Sequence, residues 1–376
     1  MPAYYDCNAT SPIEPQILDI IRYYLEIEFG NSGSRTHSFG TKALQAVQKA
    51  RDQVADVVKA KRDEVIFTSG ATESNNMAIL GLAMHGETNK RRHIISSLIE
   101  HKAVLEPLEI LRKRGFEITL LSPNSDGIIE SDQIKSALRS DTLMVSVMHV
   151  NNETGVIQPI AEIADCLMEH EAYFHVDAAQ GFGKVLPGLY NKRIDLISIS
   201  GHKIYAAKGI GALIMRRRGY KALPLEPIMY GGGQERGLRP GTLPVHLIAG
   251  LGEAAEIAVR DNSKRIELCQ KINEEIMSAF LPLEPIINGG RAQRVAHTLS
   301  IAFPGLDSEA VIVALKDDIA LSNGSACTSS SYQPSHVLKG MQLRDEVIQG
   351  TLRISWSHLS DSVDWRLVAS KVKKLM

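Results

Sequence analysis

Short apolar runs that each end in polar residues, separated by stretches of helical periodicity, constrain this chain more than any other feature. The runs are DEVIFTS (63–69), RHIISS (92–97), FEITLLS (116–122), TLMVSVMHV (142–150), AYFHVDAA (172–179), DLISIS (195–200) and GALIMR (211–216). Segments such as TKALQAVQKARDQVADVVK (41–59) and NNMAILGLAMH (75–85) lie between them with helical spacing. This alternation predicts an α/β fold, a largely parallel sheet with helices on both faces, over residues 14–250. Polar residues collect at the C-terminal ends of the strands, where open α/β sheets place ligands.

Beyond Gly250 the pattern changes to a long helical segment, then strand-like RVAHTLSIAFPG and a final helix. A chain of 376 residues exceeds one small core. The expected organisation is therefore a large domain over 14–250 and a smaller α+β domain made of 1–13 and 251–376.

With a net charge of −1 the chain has no polyanion-binding tail. The short clusters KRRH (90–93) and MRRR (215–218) lack interleaved aromatics and read as solvated faces, so no direct contact with nucleic acid is expected. The N-terminus shows no basic region followed by an apolar run, and no window is long and apolar enough to span a bilayer, so the expected location is the cytoplasm. Cysteines at 7, 166, 269 and 327 have neither C-x-x-C nor metal-like spacing, so no metal site is expected. Cys7, Cys166 and Cys269 read as packing residues. Cys327 differs: SNGSACTSSSYQPSH (322–336) surrounds it with Ser, Gly and Thr, a composition suited to a mobile loop.

Three strand ends converge chemically. In VIFTSGATESNN (65–76) an apolar strand passes through Ser-Gly-Ala71-Thr72 into a helix, whose first N–H groups and Thr72 hydroxyl suit a phosphate. No Gly-Lys-Ser/Thr follows, and the chain has no complete G-x-G-x-x-G. FHVDAAQ (174–180) ends on Asp177, and DLISISGHKIYAAKG (195–209) ends on Ser200, His202 and Lys203. An anion cradle, a carboxylate and a lysine on successive strand ends meet the needs of pyridoxal 5'-phosphate: the helix start takes the phosphate, the acid pairs with the pyridinium nitrogen, and the lysine carries the carbonyl adduct. His101, in IEHKAV (99–104), sits at another strand-to-helix junction.

Taken in order, FTSGATESNN, EHKAV, MHVNNETGVIQP, HVDAAQ, SGHKIY, GGGQERGLRPGTLPV and NGSACTS resemble the pyridoxal-phosphate cysteine desulfurases of the NifS/IscS-like group, class V aminotransferases of fold type I. The resemblance covers nearly the whole chain. It implies Lys203 as the Schiff-base lysine, Asp177 on the pyridinium nitrogen, Gln180 on the phenolic oxygen and His101 stacked on the ring with a part in proton transfer. Ala71, Thr72, Ser200 and His202 would hold the phosphate, with Thr242 reaching in from a second subunit, which implies a homodimer. Asn152 would contact the cofactor and, with Arg353 in TLRISW, the substrate's α-carboxylate.

The resemblance also gives Cys327 its role. L-Cysteine would displace Lys203, Lys203 would move a proton from Cα, and the Cys327 thiolate would take the substrate's sulfur, leaving alanine and a Cys327 persulfide for an acceptor protein. Three departures from the family pattern stand out: AAKG (206–209) for the usual Gly-Pro-Lys-Gly, no second arginine near His358, and no proline after Asn31. The stretches SNGSACTSSSYQPSHVLKGM, GGGQERGLRPGTLPV and RISW most resemble the DNA-phosphorothioation branch. Iron–sulfur assembly, tRNA thiolation, selenocysteine cleavage and a scaffold without activity remain alternatives at this level.

Overall fold

The computed structural model describes residues 2–324 and 334–376. Its strands are β1 (Ala3–Tyr4), β2 (Val65–Thr68), β3 (His93–Ser97), β4 (Glu117–Leu121), β5 (Thr142–Met148), β6 (Tyr173–Asp177), β7 (Leu196–Ser200), β8 (Gly211–Met215), β9 (Ile286–Ile287), β10 (Thr298–Ala302), β11 (Ile319–Ala320) and β12 (Thr351–Ser355). Seven of them form one sheet in the order β2-β8-β7-β6-β5-β3-β4. Only β8 runs against its neighbours, so the C-terminal ends of β2, β3, β5, β6 and β7 share one edge.

The apolar runs have a packing cause. Every residue of β2, β3, β5 and β7 is buried, because helices cover both faces. Alternate residues divide between two cores. Phe67, Val145, Phe174 and Ile197 pack with the helices Ser38–Val57 and Val245–Arg260, whereas Ile66, Ile94, Met144 and Leu196 pack with Ala71–Gly81 and Lys102–Lys113. Glycine allows the closest helix approach: a Cβ on Gly252 would stand 2.5 Å from the Ala50 Cα.

A third core gathers Tyr5, Cys269, Ile276, Phe280, Leu299, Ile301, Trp356 and Trp365 around the antiparallel strands β9, β10 and β12. The position expected for a domain boundary, Gly250, falls inside the continuous helix Val245–Arg260, and the long helical segment breaks instead at Asp261. Val337, Leu338, Met341 and Ile348 belong to the core of the large sheet although they lie late in the chain.

The basic clusters are solvated only in part: Lys90, Arg92 and Arg217 are exposed. Arg216 is buried and donates to the carbonyls of Val58, Leu189 and Asn191; Arg218 pairs with Asp195 at 2.7 Å; and His93 is buried between Thr142 and Thr119. These side chains tie loop carbonyls and an acid to the sheet's end, a structural use that the charge pattern alone does not separate from a wet surface. Cys7 and Cys269 are buried and Cys166 is half-buried.

Candidate active site

A cavity of about 410 Å³ opens at the shared strand edge. Ala71, Thr72, His101, Asn152, Asp177, Gln180, Ser200, His202, Lys203 and Arg353 all line it, so ten of the residues singled out from the sequence come together in space. Thr242 does not. It lies exposed on a separate hollow with Asn31, Gly33, Arg51 and Gln234. Cys327 lies outside the described residues.

The phosphate end is built by a backbone turn. Gly70, at φ +153°, leads β2 into the helix Ala71–Gly81, and its φ favours a residue without Cβ. No side chain caps this helix, so the N–H groups of its first turn, which precede any intrahelical acceptor, face the cavity wall formed by Ala71 and Thr72. Glu73 also lines the cavity, but its carboxylate is engaged: it takes the Ser69 N–H and pairs with Arg239 at 2.9 Å. Burial works against its ionisation, yet the Arg239 and Ser69 donors keep its pKa below the usual range. Across the turn, His202 shares a 3.1 Å hydrogen bond with the Thr10 hydroxyl, and burial beside Lys203 and Lys208 pushes its pKa to about 4, leaving the imidazole neutral.

The ring end is built by β6 and its neighbours. Asp177 accepts from the Asn75 amide at 2.7 Å and from the Ala179 N–H at 3.0 Å. His101 caps the helix Lys102–Lys113 by accepting the Ala103 N–H on Nδ1, which leaves Nε2 as the N–H of the neutral ring. Burial, then Lys203 and His336, lower its pKa against the pull of Asp177. Beneath it Glu100 is fully buried. Its Oε1 takes the Ser97 hydroxyl and the Met148 N–H, Oε2 has no partner among the described residues, and burial raises its pKa to about 8, so the carboxyl is protonated at neutral pH.

Lys203 ends the turn Gly201–Lys203 that follows β7, and its Nζ donates to the carbonyls of Asn8 (2.5 Å) and Ala9 (2.7 Å). Gln180 spends one amide hydrogen on the Asn8 carbonyl at 2.9 Å and keeps a second. Arg353, on β12, is buried. Its Nη2 pairs with Asp6 at 2.7 Å, its Nη1 reaches the Asn152 carbonyl at 3.3 Å, and its Nε has no acceptor among the described residues. It is the only arginine among the described residues that line the cavity. His358, by contrast, pairs with Glu14 at 3.1 Å.

Several working residues escaped the sequence reading. Asn8 supplies the carbonyl that Lys203 and Gln180 share, Asn75 orients Asp177, and Asp6 pairs with Arg353. Asn75 was within reach, because it stands in the same TESNN stretch as Thr72, one helical turn later. Nothing local marks Asp6 and Asn8, whose positions depend on the N-terminal segment returning across the β12 edge, with Cys7 bonded to Ser355 and Asn8 to the Ser355 hydroxyl.

The same organisation recurs in known proteins, and residues 3–364 match the aminotransferase class-V family. The chain belongs to that family. Family members depend on pyridoxal phosphate, and the open helix start, the amide-oriented Asp177 carboxylate and the lysine between them fit that group. Cysteine desulfurase IscS of Vibrio campbellii is 43% identical over 367 residues, spanning 97% of this chain and 90% of its own. Among solved structures, DndA from Streptomyces lividans is 50% identical with a TM-score of 0.83, covering 93% of this chain and 98% of its own. SspA, solved in complex with cysteine, is 36% identical with a TM-score of 0.84, covering 94% and 98% respectively. The class-V fold, with its mainly parallel sheet between helices, is thus the one expected from the strand rhythm.

Proposed function

We infer that this chain is a pyridoxal-phosphate-dependent cysteine desulfurase that converts L-cysteine to L-alanine and stores the sulfur as a persulfide on Cys327. The observation that carries this reading is the single cavity in which a phosphate cradle, Asp177, Lys203 and Arg353 converge. Relatives named as cysteine desulfurases over nearly the full chain support it.

Ala71, Thr72, Ser200 and His202 would hold the cofactor's phosphate, Asp177 its ring nitrogen and Gln180 its phenolic oxygen. Bound there, the cofactor supplies an electron sink for the carbon that bears the substrate's amine. Arg353 holds the substrate carboxylate through the guanidinium edge not spent on Asp6, with Asn152 beside it. Lys203 Nζ moves the Cα proton. The Cys327 thiolate attacks the substrate sulfur, the Cβ–S bond breaks with its electron pair staying on carbon, and protons complete the methyl group of alanine. Cysteine and a thiol thereby give alanine and a persulfide, with no outside oxidant.

The test is an absorbance spectrum of the purified protein before and after L-cysteine, with alanine and sulfide assayed together in the presence of a thiol reductant. A visible cofactor band that shifts as alanine appears is the expected result. A band without alanine would overturn the desulfurase reading while leaving the family intact.

We also propose that the working unit is a homodimer, divided in each subunit into a large domain over 14–250 and a smaller one made of 1–13 and 251–376, with the whole helix Val245–Arg260 packed on the core of the large one. Leu25, Ile27 and Phe29 are exposed in one stretch, Phe29 stacks on exposed Phe39 at 5.3 Å, and this stretch leads into the hollow that holds Thr242. An exposed apolar stretch of this kind favours a protein partner. Light scattering should give twice the chain mass, and Thr242→Val should weaken cofactor binding about tenfold, the worth of one phosphate hydrogen bond. A monomer with unchanged cofactor affinity in the variant would refute the shared site.

For the sulfur's destination we propose an acceptor protein of a DNA-phosphorothioation system, supported by 50% identity to DndA against 43% to IscS. The chain's net charge of −1 leaves contact with DNA to that partner. No helix among the described residues is long and apolar enough to cross a membrane, and the cytoplasm is the proposed location.

A further inference from the structure

A second cavity, of about 380 Å³, lies between the core of the large sheet and the core around β10. It shares no lining residue with the active-site cavity. Three cationic side chains, Lys184, Arg265 and Arg294, line it, and no Asp or Glu does. Arg265 is paired with Glu14 at 2.7 Å. The other two have no such partner: among the described residues no carboxylate lies within ion-pair distance of Lys184 or Arg294, and the buried Nη1 of Arg294 has no protein acceptor. The Lys184 ammonium stands over the Tyr205 ring at 5.9 Å, with the Cys7 and Cys269 thiols and Arg265 near enough to act on its charge. His297, only 8% exposed, brings an Nε2 that is also without a partner.

Cations removed from water without a counter-charge are unfavourable unless something restores the lost interactions. Burial accordingly pulls the pKa of Lys184 down to about 8 and lowers that of Arg294. The rest of the lining mixes apolar Ile157, Leu186 and Ile266 with the amides of Asn262, Gln270 and Gln293. This combination suits a small ligand with an anionic head and an apolar body.

We propose that this cavity binds a small organic anion whose carboxylate or phosphate head is held by Lys184 and Arg294. The site is adjacent in sequence to the chemistry. Tyr205, two residues past Lys203, lines it with its ring under both Lys184 and Arg265 (5.0 Å), and its backbone sits at φ +68°, a region unfavourable for a side chain of that size. An occupant would therefore touch the segment that sets Lys203. The proposal does not depend on the desulfurase reading.

Calorimetric titration of the full chain, loaded with pyridoxal phosphate so that the Ala71–Thr72 cradle is filled, tests it with two probes at constant ionic strength: inorganic phosphate and butyrate. Saturable binding near one site per chain is expected for at least one of them. Phosphate alone would identify a phosphorylated ligand, butyrate alone a carboxylate. Lys184→Met and Arg294→Met, on separate elements, should each weaken binding about tenfold or more, while Lys184→Arg keeps it. Absence of saturable binding by both probes, or binding indifferent to both methionine variants, would overturn the site.

Discussion

Lys203→Ala is expected to reduce alanine formation about a thousandfold or more, the scale on which removal of a positioned proton carrier and carbonyl-binding amine acts. The argument is positional. Strand β7 and the turn Gly201–Lys203 deliver Nζ to the carbonyls of Asn8 and Ala9, in the cavity that also holds Asp177 and His101. A second lysine, Lys208, lines the same cavity, so a generic need for positive charge is a competing explanation. Lys208→Ala separates the two, since it should keep activity within about tenfold of the native enzyme if Lys203 is the proton carrier. Because Lys203 also anchors the N-terminal segment, thermal unfolding of the variant must be recorded alongside. Turnover by folded Lys203→Ala within about tenfold of native would sink the assignment.

Strand positions were legible because a sheet covered on both faces writes itself as uninterrupted apolar runs, as in VIFT and LISIS. The antiparallel direction of β8 left no such mark, since GALIM has the same composition in either direction. The clustering of side chains in the cavity was legible where motif and strand end coincide, at Thr72, Asp177 and Lys203. It was not legible where the site is completed by a segment distant in sequence. Asp6 and Asn8 stand 347 residues from Arg353 and Ser355 respectively, and their bonds exist only because the N-terminal segment crosses the β12 edge. Charge patterning misled for a related reason. MRRR reads as a wet surface until Asp195 and the carbonyls of Val58 and Leu189 are seen to claim Arg216 and Arg218. Composition counts charges, whereas burial depends on which partners the fold brings within hydrogen-bond distance.

Cys327→Ser is expected to leave the cofactor spectrum intact and to reduce alanine formation about a thousandfold. A serine hydroxyl nearly matches the thiol in size but stays protonated at neutral pH and forms no stable bond to sulfur, so only the transfer step should fail. The residues proposed to hold the cofactor line the cavity at the sheet edge and are unchanged in this variant, so its absorbance and its response to L-cysteine should survive. In the native chain the same reaction should leave one added sulfur atom on the peptide that contains Cys327, read by mass spectrometry without reductant. Alanine formed at native rates by the serine variant would mean that the sulfur leaves by another route. The persulfide form then reports its own destination. Affinity capture on it should recover an acceptor from a DNA-phosphorothioation system. An iron–sulfur scaffold in its place would reassign the pathway, and would do so without disturbing the roles proposed for Lys203 and Asp177, which act on L-cysteine before any acceptor is met.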